Sequence, residues 1–104
     1  MIVVPSSAIA GKKIVKTLGL VKGNTIRARH IGKDILAGLK NLVGGEIEEY
    51  TKLMAEAREQ AIDRMITSAK EMGANAVVDV RFSTSYIMGM ASEILVYGTA
   101  VVVA

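Results

Sequence analysis

The 104 residues contain no cysteine and no tryptophan, one proline (Pro5) and one histidine (His30). Without cysteine there is no disulfide framework, no thiolate zinc or iron–sulfur centre and no cysteine nucleophile. With a single histidine, a multi-histidine metal centre lies beyond one chain's own residues. Aromatic residues are scarce: Tyr50, Phe82, Tyr86 and Tyr97 are the full set. None precedes Tyr50, so the cations of the N-terminal half have no stacking platform for bases, and nucleic acid is a weak candidate partner. Long apolar runs are missing too. The uncharged tail from Ile94 to Ala104 is 11 residues long and interrupted by Gly98, about half of what a membrane-spanning helix needs. The start, Met1-Ile2-Val3-Val4-Pro5, lacks the basic and apolar regions of a secretory signal. The expectation is a soluble, cytoplasmic protein with no membrane partner.

What is present is aliphatic. Hydrophobic residues make up 51% of the chain, and valine and isoleucine supply 23 of them. That content excludes disorder and fits a single domain over residues 1–104. It also exceeds what so small a monomer readily hides, so self-association is expected. Charge is divided along the chain. Residues 1–45 carry eight basic groups against Asp34 alone, while residues 46–104 carry five basic and nine acidic groups. Oppositely charged halves attract one another within a subunit or between subunits.

Periodicity assigns the elements. From Glu46 to Met72 apolar residues fall at Ile47, Tyr50, Met54, Ala57, Ala61, Met65, Ala69 and Met72, the three-and-four spacing of one helix face. Leu53, Ile62 and Ile66 widen the stripe. Gly73 suits the left-handed position that ends a helix. A shorter apolar pattern, Ile35 to Val43, reads as a second helix, parted from the first by Gly44-Gly45. Strands are expected at Ile2–Val4, from Ile14 toward Ala28 with bulges or a bend at Gly19 and Gly23 or a hairpin turn at Gly23-Asn24, at Ala76–Phe82, and at Glu93–Val103. Alternation in the third puts Val78, Val80 and Phe82 on one side and Asp79 and Arg81 on the other. A loop is expected around Ser85 to Met90. The fourth strand is apolar on both faces, as a central or interface-buried strand is. The order β-β-α-α-β-β makes an α+β domain: an antiparallel sheet with a short and a long helix packed on one side.

Candidate sites are few. His30, near Arg27, Arg29 and Asp34, is the one imidazole a metal ion has to bind. Met88-Gly89-Met90 is the one close methionine pair; Met54, Met65 and Met72 are accounted for by core packing on the helix stripe. Gly44-Gly45-Glu46 places free backbone N–H groups at a helix start, where an anion can sit, without the lysine of a P-loop. Ser83, Thr84 and Ser85 with Tyr86 and Tyr97 are candidates to line a polar cleft beside Arg81 and Glu93, although no nucleophile elbow surrounds a serine.

Leu42-Val43-Gly44-Gly45-Glu46, Tyr50-Thr51, Ala57-Arg58-Glu59, Gly73-Ala74-Asn75-Ala76-Val77-Val78, Val80-Arg81-Phe82 and Tyr97-Gly98-Thr99-Ala100-Val101 follow in an order and spacing that resemble the YbjQ-like family. Gly23-Asn24 through Asp34 and Leu39-Lys40-Asn41 extend the likeness to nearly the whole chain. The resemblance implies a small α/β subunit assembled into a ring, a homopentamer, from a largely uncharacterised group that carries a heavy-metal-binding label. A metal ion held that way would draw on His30 and carboxylates of adjacent subunits, since symmetry multiplies one ligand around a ring.

The resulting expectation is a non-enzymatic homo-oligomer binding a small ligand or metal ion at subunit boundaries, with Arg81, Ser83, Ser85, Tyr97, Gly44 and Gly45 as ligand residues. An enzyme using Arg81, Ser83, Ser85 and Tyr97 at an inter-subunit site is the alternative, and a nucleic-acid-binding module follows it.

Overall fold

The computed structural model describes residues 1–28, 45–87 and 91–104. The elements are β1 (Ile2–Val3), β2 (Ile14–Ala28), α1 (Gly45–Glu71), β3 (Ala76–Ile87) and β4 (Ala91–Val103). The expected short helix at 35–43 lies outside the described residues. The four strands form one sheet in the order β1-β3-β4-β2. β4 is central and antiparallel to both neighbours, which explains its valine-rich, two-sided apolarity.

The sheet is mixed rather than antiparallel, because β1 pairs in parallel with β3, Ile2 opposite Ala76 and Val3 opposite Val77. Such a pairing joins strands distant in sequence and leaves no turn signal to read. The alternative of a hairpin at Gly23-Asn24 is also overturned. β2 runs through these residues unbroken, Gly23 opposite Val96 and Asn24 opposite Leu95. Gly23 is there for close approach: a Cβ at this position would meet the Ala61 carbonyl oxygen and the Met65 nitrogen of the helix backbone. The irregularities of β2 sit earlier, between Ile14 and Lys16 and between Thr17 and Gly19.

α1 lies across one face of the sheet, mainly over β2 and β4. Its stripe Ala57, Ala61, Met65 and Ala69 is fully buried against Val21, Val77, Ile94, Val96 and Ala100. Alanines let the helix settle close to the sheet, and Thr25 reaches up to donate a hydrogen bond to the Ala57 carbonyl at 3.1 Å. Met72 is exposed rather than part of the stripe, since the helix ends one residue before it. That end is a Schellman cap: Ala74 N–H donates to Ala69 and Gly73 N–H to Lys70, with Gly73 at φ 90°, as the left-handed C′ position requires. Asn75 then clamps the outgoing chain to β4, its amide donating to the Val103 carbonyl and its oxygen accepting from the Val103 N–H.

The other face is divided. At one end Ile2, Val4 and Ile9 of the N-terminal segment cover Ala76, Val78, Val101 and Val103. At the other end no described segment lies over it. The molecule is elongated, with a radius of gyration of 17.0 Å where a compact domain of this length has about 13 Å. Among the described residues no helix is long and apolar enough to cross a membrane.

Candidate functional site

The bare end of the second face is built by strand register, because residues directly opposite across a sheet share a face. Three rows result. Lys22 of β2, Tyr97 of β4 and Arg81 of β3 make the first; Asn24, Leu95 and Ser83 the second; Ile26, Glu93 and Ser85 the third. From the strand spacing and rise, this platform measures about 10 Å by about 14 Å. Four of the expected ligand residues, Arg81, Ser83, Ser85 and Tyr97, therefore lie together on one surface. The β3 part differs from expectation: it continues to Ile87, so Ser83 and Ser85 stand within a strand rather than in a cleft or loop. Thr84 falls on the helix side, opposite Ile94.

What aims Arg81 at this surface is a bulge. Between the pairs Val78–Thr99 and Arg81–Tyr97, Asp79 and Val80 oppose the single residue Gly98. Asp79 takes a left-handed backbone, φ 54°, which asparagine and aspartate tolerate better than other side chains. The N-terminal segment holds it: Asp79 N–H donates to the Ser6 carbonyl at 3.0 Å and Ser7 Oγ donates to Asp79 Oδ1 at 2.7 Å. The extra residue overturns the expected alternation. Val78 and Val80 now face opposite sides, Val80 joining the helix-side core and Val78 the N-terminal cluster. Gly98 is required opposite the bulge, since a Cβ there would lie 2.7 Å from Val77 Cγ1 and 2.9 Å from the Val78 carbonyl oxygen.

Arg81 Nη1 donates to the Pro5 carbonyl at 2.9 Å and to the Val80 carbonyl at 3.0 Å. This fixes the guanidinium at the platform's edge and leaves Nε and Nη2 without a partner among the described residues. Across the platform, the Asn24 amide donates to Glu93 Oε2 at 3.2 Å, while Arg64 of α1 donates to the Asn24 carbonyl at 2.7 Å. Tyr97 thus has a cation in the row on either side of it, and Ser85 lies opposite a carboxylate. Apolar groups frame the polar ones: Leu20 is 70% exposed and Ile26 56%. Lys22 and Asn24 were not among the sequence candidates. The period-two alternation of β2 carries them, but it points to a face only once the pairing partner is known.

Gly45 opens α1 and belongs to the layer on the other side of the sheet, apart from these four residues. Gly44, His30 and Met88-Gly89-Met90 lie outside the described residues. Among the described residues no group of three or more His, Cys, Asp or Glu is placed to hold a metal ion, and the platform offers a heavy metal only Glu93. These residues do not fit a resident heavy-metal ion.

The family model described as "Putative heavy-metal-binding" matches residues 1–104. The chain belongs to the YbjQ-like family. Its members are spread over bacteria and archaea. The chain is 65% identical to a UPF0145 protein of Dehalococcoides mccartyi over 99% of both chains. It is 58% identical to a UPF0145 protein of Methanosarcina acetivorans over 97% of this chain and 95% of that one. Among solved structures, a protein of unknown function of the DUF74 family from Pediococcus pentosaceus superposes with a TM-score of 0.66 at 14% identity, covering 100% of this chain and 98% of that one. At that identity the likeness shows a shared fold and nothing about a ligand.

Proposed function

We propose that this YbjQ-like protein is a non-enzymatic, cytoplasmic homo-oligomeric binding subunit. Its copies form a ring, five-membered by the family resemblance, and hold a small polar ligand at subunit boundaries on the bare sheet face. The observation that carries the reading is the gathering of Arg81, Ser83, Ser85 and Tyr97 on a surface framed by exposed Leu20 and Ile26. Leu20 and Ile26 leave apolar surface beside the platform's polar groups, and no described segment covers them. Concave ligand sites commonly form where such surfaces meet. Lys22 and Arg81 favour an anionic group, and the serine hydroxyls can accept or donate beside it.

Native mass spectrometry of the purified protein tests both parts together. The expected spectrum shows a multiple of the 11.1 kDa subunit mass, five-fold for the ring, with retained ligand mass that Arg81→Ala loses. A bare 11.1 kDa species would contradict the reading.

A further inference from the structure

The platform is polarised along its strands. Its first row holds Lys22 and Arg81 on either side of Tyr97, and its third holds Glu93 between Ile26 and Ser85. The third row stands four residues from the first on each strand, about 14 Å along the sheet. The row between them, Asn24, Leu95 and Ser83, is neutral, with Leu95 half-buried. A cationic end, an uncharged middle and an anionic end thus follow one another on a single face.

Each end is held in place without being used up. An arginine has two donor edges, one through Nη1 and Nη2 and one through Nε and Nη2, and either can grip both oxygens of a carboxylate. The bonds from Nη1 to the Pro5 and Val80 carbonyls take up the first edge and fix the second. Nε and Nη2 keep two coplanar N–H groups, and neither Arg81 nor Lys22 is paired with a carboxylate among the described residues. At the other end the Asn24 amide steadies Glu93 through Oε2 at 3.2 Å. Oε1 has no donor among the described residues, and Ser85 stands directly opposite. Side chains tied down in this way lose less freedom when a ligand arrives.

We propose that the platform takes an elongated dipolar ligand, with a carboxylate on the Nε–Nη2 edge of Arg81, an ammonium group at Glu93 and Ser85, and an unbranched apolar stem over Leu95. Its charged ends lie about 8–14 Å apart, from the row spacing less a hydrogen bond at each end. The proposal rests on the binding-subunit reading above and names the ligand's chemical class and its direction on the sheet. Arg81 reads the acid, and Glu93 turns away a molecule that carries an acid at both ends.

Four probes of matched length test it: 8-aminooctanoate, octanoate, octylamine and octanedioate. Each is titrated into the purified protein carrying labelled leucine and isoleucine methyl groups, and the shifts of Leu20, Ile26 and Leu95 report on the platform. The wild type is expected to bind 8-aminooctanoate several-fold more tightly than any of the other three. Glu93→Gln keeps an acceptor for Asn24 and removes the charge, and is expected to bring 8-aminooctanoate and octanoate to equal affinity. Arg81→Ala is expected to weaken both. Octanoate binding the wild-type platform as tightly as 8-aminooctanoate would overturn the dipolar ligand and leave the polar-ligand reading standing. A preference for 8-aminooctanoate that survives Glu93→Gln would overturn the assigned direction. Platform methyls that respond to none of the four would overturn this ligand class, and the native mass spectrum then decides the binding reading by itself.

Discussion

The two faces of this sheet differ in material and in fate: the helix side is mainly aliphatic, and the other side is aliphatic at one end and mostly polar at the other. On the helix side, small residues are matched across the layer: Gly23 of β2 lies against the helix backbone at Ala61, with Ala57 and Ala69 on the same buried stripe. A gap of one methyl group decides whether the layers fit. On the other side, the N-terminal segment covers one end with Ile2, Val4 and Ile9, and the remaining end shows Leu20, Ile26 and Tyr97 to solvent. The first face is closed by the chain itself. Among the described residues the second is half closed, and the open half is where charge and hydroxyls gather. Burial is therefore concentrated on one side of the sheet, and the other carries the proposed ligand surface.

The contrast is sharpest at glycine. Gly23→Ala directs a methyl group into the backbone of α1, which must move as a unit, so a loss of about 3 kcal/mol, the upper part of the usual overpacking range, is expected in urea unfolding. A loss below about 0.5 kcal/mol would mean that the helix lies further from β2 than described. Next comes Met65, fully buried between helix and sheet. Met65→Ala is expected to cost about 2–3 kcal/mol, against less than about 0.5 kcal/mol for Leu20→Ala on the open half under conditions where the protein is monomeric. Equal costs at the two sites would erase the distinction between the faces. A smaller effect than at Gly23 or Met65 belongs to the bulge of β3. Asp79→Val places a β-branched residue in a left-handed backbone and removes the Ser7 hydrogen bond, for an expected loss of about 1–2 kcal/mol. Asp79→Gly should recover most of it, which thermal melts of the two variants will show.

Legibility in the sequence follows how local each signal is. The long helix and its cap were readable because the stripe at Ala57, Ala61, Met65 and Ala69 and the stop at Gly73 depend on neighbours a few residues away. The α+β class was readable from the order of the elements, and two-sided apolarity made β4 a central or an interface-buried strand. The parallel pairing of β1 was not, since Ile2 and Ala76 are joined by nothing that a window of residues contains. Gly23 sent two messages at once, turn or close approach, and only the helix lying over it separates them. In β3, one extra residue at Asp79 reversed the expected side of Val80. The platform was half legible: its hydroxyls, Arg81 and Tyr97 stood out as polar groups among valines, whereas Lys22 and Asn24 became part of it only through the register with β4.

The central claim is that the described residues close one face of the sheet with α1, and that the platform on the other face is covered by a second copy. Hydroxyl-radical footprinting of Leu20, Ile26 and Tyr97 in the assembled wild-type protein tests it most directly. The account predicts that all three are labelled slowly in the assembly and rapidly once the protein is diluted to the monomer. Labelling as fast in the assembly as in the monomer would contradict it.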